Sequence, residues 1–235
     1  MKRTLVVLAG CLSAAMSHSI VYPTLPHAAN NFIPFGAGQA GSIPTMHQVF
    51  ASSLFAAGTG GLAAEITSIG FAPGILGVVS LGQVTINLGY TNAIPGVGSG
   101  AGGLVIPTQG GGGNNVGAMS TFYTNPNTQF NIVVGGTGNF SEMVFTGTPF
   151  IYDPNVGNLL VEIIVPDPLN ITFTVSRAAG SAESSRAFAG TRFGDAESAT
   201  TATRMDFTYT AVPEPGTFIA IGGGLALLAL RRFRK

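Results

Sequence analysis

The sequence predicts an all-β protein: a single β-sandwich, jelly-roll-like, with Gly-rich loops, flanked by an N-terminal signal helix and a C-terminal transmembrane helix. Three observations carry this. Several segments alternate apolar and polar residues at period two, the pattern of a strand with one face buried. The 34 Gly and 14 Pro of the 235 residues fall between those segments as turn signals. No body segment longer than ten residues shows a convincing helical period.

The clearest strands are residues 83–90, 130–134, 171–175 and 205–209. In the first, Val84, Ile86, Leu88 and Tyr90 share one face, and Gln83, Thr85 and Asn87 the other. In the last, Met205, Phe207 and Tyr209 alternate with Asp206 and Thr208. Weaker strands are expected at 48–55, 64–71, 116–123, 139–145, 159–165 and 187–193. Residues 46–57 also fit a helical spacing through Met46, Val49, Phe50 and Ser53, but strand is preferred. Two loops separate these runs. Residues 95–115 are Gly-rich and read as a flexible surface loop. Residues 178–203 carry Ser, Ala, Gly and interleaved charges, and read as solvated and mobile.

Only 9% of residues are charged, against about 25% in an average soluble domain. The net charge of zero hides a pattern: Lys2, Arg3, Arg231, Arg232, Arg234 and Lys235 hold six of the ten basic residues at the two tips. Between residues 30 and 212 lie nine acids and four arginines, a balance of −5. Nucleic-acid binding needs several clustered cations to displace phosphate counterions, so no nucleic-acid partner is expected.

The tips read as addresses. Lys2 and Arg3 precede an apolar run over residues 4–16, the layout of a secretory signal. The signal region is placed at residues 1–29 with the cleavage site open: small residues occur at Ala15 and Ser17, and again at Ala28 and Ala29. Leu8-Ala9-Gly10-Cys11 matches a lipidation box, although the apolar run continues past Cys11. Otherwise Cys11, the sole cysteine, leaves with the signal. The β domain then spans residues 30–211.

The C-terminal region, residues 212–235, reads Val212-Pro213-Glu214-Pro215-Gly216-Thr217, an apolar run over 217–230, and a basic tip of Arg231, Arg232, Arg234 and Lys235. Prolines stop the preceding strand because they cannot donate to a ladder. Fourteen apolar residues span about 21 Å as a helix, short for a hydrocarbon core of about 30 Å unless the flanking arginines snorkel. The basic tip should stay cytoplasmic.

Pro-Glu-Pro, apolar segment and basic tip, in that order, resemble the PEP-CTERM sorting signal of bacterial exported proteins. The resemblance implies recognition by an exosortase-type membrane protease, removal of the tail after transient residence in the inner membrane, and delivery to the cell surface or an exopolysaccharide-containing biofilm matrix. Residues 148–163, which include Pro149-Phe150-Ile151-Tyr152-Asp153-Pro154 and Gly157-Asn158-Leu159-Leu160, resemble a stretch that recurs in a β-rich subset of PEP-CTERM proteins. Residues 46–55 resemble that subset's opening strand.

Signals for chemistry are sparse. Gly98-Ser99-Gly100-Ala101-Gly102-Gly103 matches G-x-G-x-x-G, but the extended, Pro-closed Leu104-Val105-Ile106-Pro107 follows instead of a helix. Outside the signal region His47 is the one histidine, too few for zinc. A Ser-His-Asp arrangement would have to use it, and no G-x-S-x-G elbow is present. Glu65, Glu142, Asp153, Glu162 and Asp167 offer carboxylates, but no spacing selects a glycosidase pair. Asp153, Asn155 and Asn158 share one turn and form a calcium candidate, although an Asx-capped turn explains the same residues. No enzyme activity and no cofactor are expected. The expected role is a non-enzymatic surface or matrix protein. The alternative is a glycan-binding module for exopolysaccharide, although Trp, a common sugar-stacking residue, is absent.

Overall fold

The computed structural model describes residues 17–22, 27–31, 34–35, 45–107, 117–134, 138–166, 174–179, 183–189, 196–198 and 201–213. Residues 1–16 of the expected signal region 1–29, residues 171–173 of the expected strand 171–175, the sorting residues 214–217, the apolar run 217–230 and the basic tip lie outside them. Among the described residues no helix is long and apolar enough to cross a membrane.

The elements are, in order, β1 (Ser17–Tyr22), β2 (His27–Asn31), β3 (Thr45–Phe50), α1 (Ser52–Thr59), β4 (Ala63–Phe71), β5 (Gly77–Thr91) and β6 (Met119–Ile132). There follow β7 (Met143–Tyr152), β8 (Asn158–Ile164), β9 (Val175–Ala179), β10 (Ser184–Ala189), β11 (Ala196–Ser198), β12 (Thr201–Thr203) and β13 (Met205–Val212). The strand order is β1-β13-β4-β7 in one sheet and β11-β10-β3-β8-β5-β6 in a second. A small third sheet runs β12-β9-β2. All the pairings are antiparallel.

The two large sheets share one core. Ile66, Ile69, Phe145, Phe207 and Tyr209 from the first meet Met46, Phe50, Val84, Ile86, Leu88, Val161 and Ile163 from the second. These follow the period of two along each strand, except that a register shift in β4 between Ile66 and Ser68 brings Ile66 and Ile69 to the same face. Aromatic rings fill the centre edge to face: Phe207 lies 5.0 Å from Phe50, and Phe145 5.6 Å from Phe71. The third sheet is tied in through Gln48. Its Nε2 donates to the Thr203 carbonyl at 2.7 Å, and its Oε1 accepts from the Thr203 amide at 2.9 Å.

The structure departs from the sequence reading at five places. Strand β3 ends at Phe50 and helix α1 begins at Ser52, so residues 48–55 are not one strand. The helix has no side-chain cap of its own; Asn158 Oδ1 accepts from the Ser52 amide at 2.9 Å, and Gly60 closes the other end at φ 66°. Residues 116–123 and 130–134 belong largely to one long strand, β6, which passes Asn125-Pro126-Asn127 on a bulge opposite Gln83. Proline is tolerated there because β6 is a sheet edge.

The described part of the Gly-rich loop is folded onto the outer face of the six-stranded sheet. Ala93 and Leu104 pack there against Val49, Leu160 and Ala187. The Gly98–Gly103 match forms a single 3-10 turn with Gly102 at φ 87°, and an extended segment follows it. It therefore lacks the helix N-terminus that would hold a pyrophosphate. The segment read as solvated contains β10, whose six residues are all buried between β11 and β3. Finally, Ser17–Tyr22 and His27–Asn31, placed in the signal region by the sequence, are strands of the sheets.

Burial raises the phenols of Tyr22 and Tyr152 well above their ordinary value of 10.0, with smaller contributions from Tyr209 and Tyr90 respectively. Below pH 10 both folded and unfolded chains keep these protons. Above it the unfolded chain releases them while the folded chain retains them, so stability falls. The urea midpoint should therefore drop progressively above pH 10. Substituting Phe at both positions should flatten the profile.

Candidate functional site

Four places were suggested by residue chemistry. The first is the C-terminal exit. Strand β13 is flanked by β1 and β4, and its last pairs are Ala211 with Ala64 and Val212 with Ala63. Pro213 follows immediately and ends the ladder. The sorting residues Glu214, Pro215, Gly216 and Thr217 thus follow an inner strand in sequence, with Pro213 alone between them and its last residue. Val212 to Thr217 spans at most about 17 Å of extended chain.

The second is the turn between β7 and β8. Asp153 Oδ1 accepts from the Asn155 amide at 2.9 Å and from Asn155 Nδ2 at 2.9 Å. Asn155 Nδ2 also donates to the Gly61 carbonyl at 3.0 Å. Asn158 Oδ1 caps α1, while its Nδ2 donates to the Ala93 carbonyl at 2.9 Å. The calcium-candidate residues are thus engaged as an Asx turn and as ties between elements. Among the described residues no group of three His, Cys, Asp or Glu side chains is placed to hold a metal.

The third is a cross-strand row that sequence reasoning missed. His47, Glu162 and Asn87 are direct partners on β3, β8 and β5. His47 Nε2 lies 2.9 Å from Glu162 Oε1, and Asn87 Nδ2 donates to Glu162 Oε2 at 2.6 Å. A carboxylate only accepts, so His47 Nε2 is the donor. His47 is 0% exposed and Glu162 3%, which seals the pair from an external substrate. Asn87 lies on the polar-reading face of β5, but Glu162 alternates with Leu160 and Ile164 and His47 with Val49; pairing between strands is not local in sequence, so no spacing could join the three.

The fourth is a groove of about 420 Å³ between β6 and β7, the facing edge strands of the two large sheets. Thr121, Thr124, Thr146 and Thr148 line it with Tyr123. At its floor a Cβ on Gly147 would collide with the Phe122 carbonyl oxygen, so glycine lets the two edges approach.

Against known families, the model described as the PEP-CTERM protein-sorting motif matches residues 211–235. The match begins inside β13, so the last turn of the ladder and the sorting signal are continuous. The chain carries a PEP-CTERM sorting domain, and this motif implies export and sorting by an exosortase to the cell surface. No curated protein and no solved structure matches the chain.

Proposed function

We propose that this PEP-CTERM protein is a non-enzymatic component of the bacterial surface or extracellular matrix, held briefly in the inner membrane and then cut from its C-terminal tail. The observation that supports the reading is the match of the sorting motif to residues 211–235, which begins inside β13 and puts Pro213 to Gly216 next in sequence to the sheet. The burial of His47 and Glu162 agrees with a structural role, because acid–base catalysis needs contact with substrate. Replacing Pro213, Glu214 and Pro215 together by Ala should leave the tail on the chain and the protein in the membrane fraction. Normal release of that variant would refute sorting through these residues.

A second reading, glycan binding to exopolysaccharide, is favoured by the threonine-lined groove. The threonine hydroxyls that line it offer hydrogen bonds to a sugar, while the Tyr123 ring packs edge to face on Phe145 at 5.0 Å. A pull-down on matrix polysaccharide separates the readings. Retention that is lost when the exposed Thr146 and Thr148 are both replaced by Val would favour the binding module.

A further inference from the structure

We infer that the export signal is cut at the Ala15–Met16 bond, and that β1 and β13 then hold the two processed ends side by side at the membrane-facing end of the sandwich. The inference rests on the export reading above and fixes where maturation happens.

The N-terminal edge strand is integral to the fold. All six residues of β1 pair with β13, from Ser17 opposite Thr210 to Tyr22 opposite Met205. Tyr22 is 4% exposed, donates its hydroxyl to the Leu54 carbonyl at 2.7 Å, and packs on Phe55 and Phe207. Ser19 Oγ donates to the Asp206 carboxylate at 2.7 Å, and the His18 ring stacks on Tyr209 at 5.8 Å. A cut after Ala29 would remove β1 entirely and split β2, where Ala29 pairs with Arg177. It would strip Tyr22 from the core and leave β13 as an unpaired edge, a template for aggregation. Ser13-Ala14-Ala15 offers the small residues a signal peptidase needs, just before Ser17. The hydrolysis adds water across the Ala15–Met16 peptide bond, leaving a carboxylate on Ala15 and an amine on Met16.

Antiparallel pairing sets the geometry of the precursor. Strand β1 starts where β13 ends, so Ser17 and Thr210 sit about 5 Å apart across the ladder. The first residue of β1 and the last residues of β13 therefore lie at one end of the body, and the apolar runs 4–16 and 217–230 adjoin them in sequence. Their basic tips both belong on the cytoplasmic side, which places the sandwich outside on two membrane segments.

N-terminal sequencing of protein purified from native membranes and culture medium tests the cut. A start at Met16 is expected. A start at any other residue, or an uncut Met1, would overturn the inference. The pairing is tested in the full chain carrying Ser17→Cys and Thr210→Cys, exported to an oxidising compartment. Their separation suits a disulfide, and Cys11 leaves with the signal. Mature protein with no reactive thiol is expected; two reactive thiols would contradict the pairing. Sorting is read independently from the C-terminal mass, so either claim can fail without the other.

Discussion

Phe55→Ala should lower the free energy of unfolding by about 3–5 kcal/mol, most of the margin of a domain whose total is typically about 5–15 kcal/mol. Phe55 is fully buried on α1 and is the ring on which the end of the core converges. Its centroid lies 5.5 Å from Tyr22, 5.0 Å from Tyr152, 5.4 Å from Phe207 and 5.8 Å from Tyr209. Those rings come from β1, β7 and β13, so truncation loosens three strands of one sheet at once. Gly58 on the same helix lies so close to the Tyr209 hydroxyl that an added Cβ would strike it, which shows how tightly α1 sits on β13. Urea unfolding followed by far-UV circular dichroism measures the loss. A change below about 1 kcal/mol would mean that α1 is peripheral to the core.

Glu162→Ala should cost a similar amount, about 3–5 kcal/mol, for a different reason. It removes the acceptor that His47 Nε2 and Asn87 Nδ2 both use, stranding the buried His47 donor and the half-buried Asn87 donor on the outer face of the six-stranded sheet. Glu162→Gln keeps a carbonyl oxygen in place and should be milder. Unfolding curves that rank the two substitutions in the opposite order would show that the row is not held by these hydrogen bonds.

The strands that were legible in the sequence are those with one apolar face and ordinary flanks. Val84, Ile86 and Leu88 announce β5, and Met205, Phe207 and Tyr209 announce β13, because each faces a single core. Strand β10 was not legible. Its six residues, Ser184 to Ala189, are buried on both faces, so Ser and Arg stand where alternation would demand a pattern. Helix α1 was hidden because Phe55 and Thr59 are its only fully enclosed residues, too few to impose a period over eight positions. The Gly-rich loop read as flexible because Ala93 and Leu104, which pin it to the sheet, are isolated in sequence. The sorting signal was legible because its order of proline, acid, apolar run and basic tip is local. The His47–Glu162–Asn87 row is distributed over three strands and appears only once register is known.

The central claim is that this β-rich body is delivered outside the cell and then separated from the tail that begins at its last strand. The intact mass of the mature protein, taken from native membranes and from culture medium, tests it most directly. The account predicts a chain that has lost residues 218–235 and ends between Pro213 and Thr217. A mature protein that still carries Phe218 to Lys235 would be a permanently anchored membrane protein, and would contradict it.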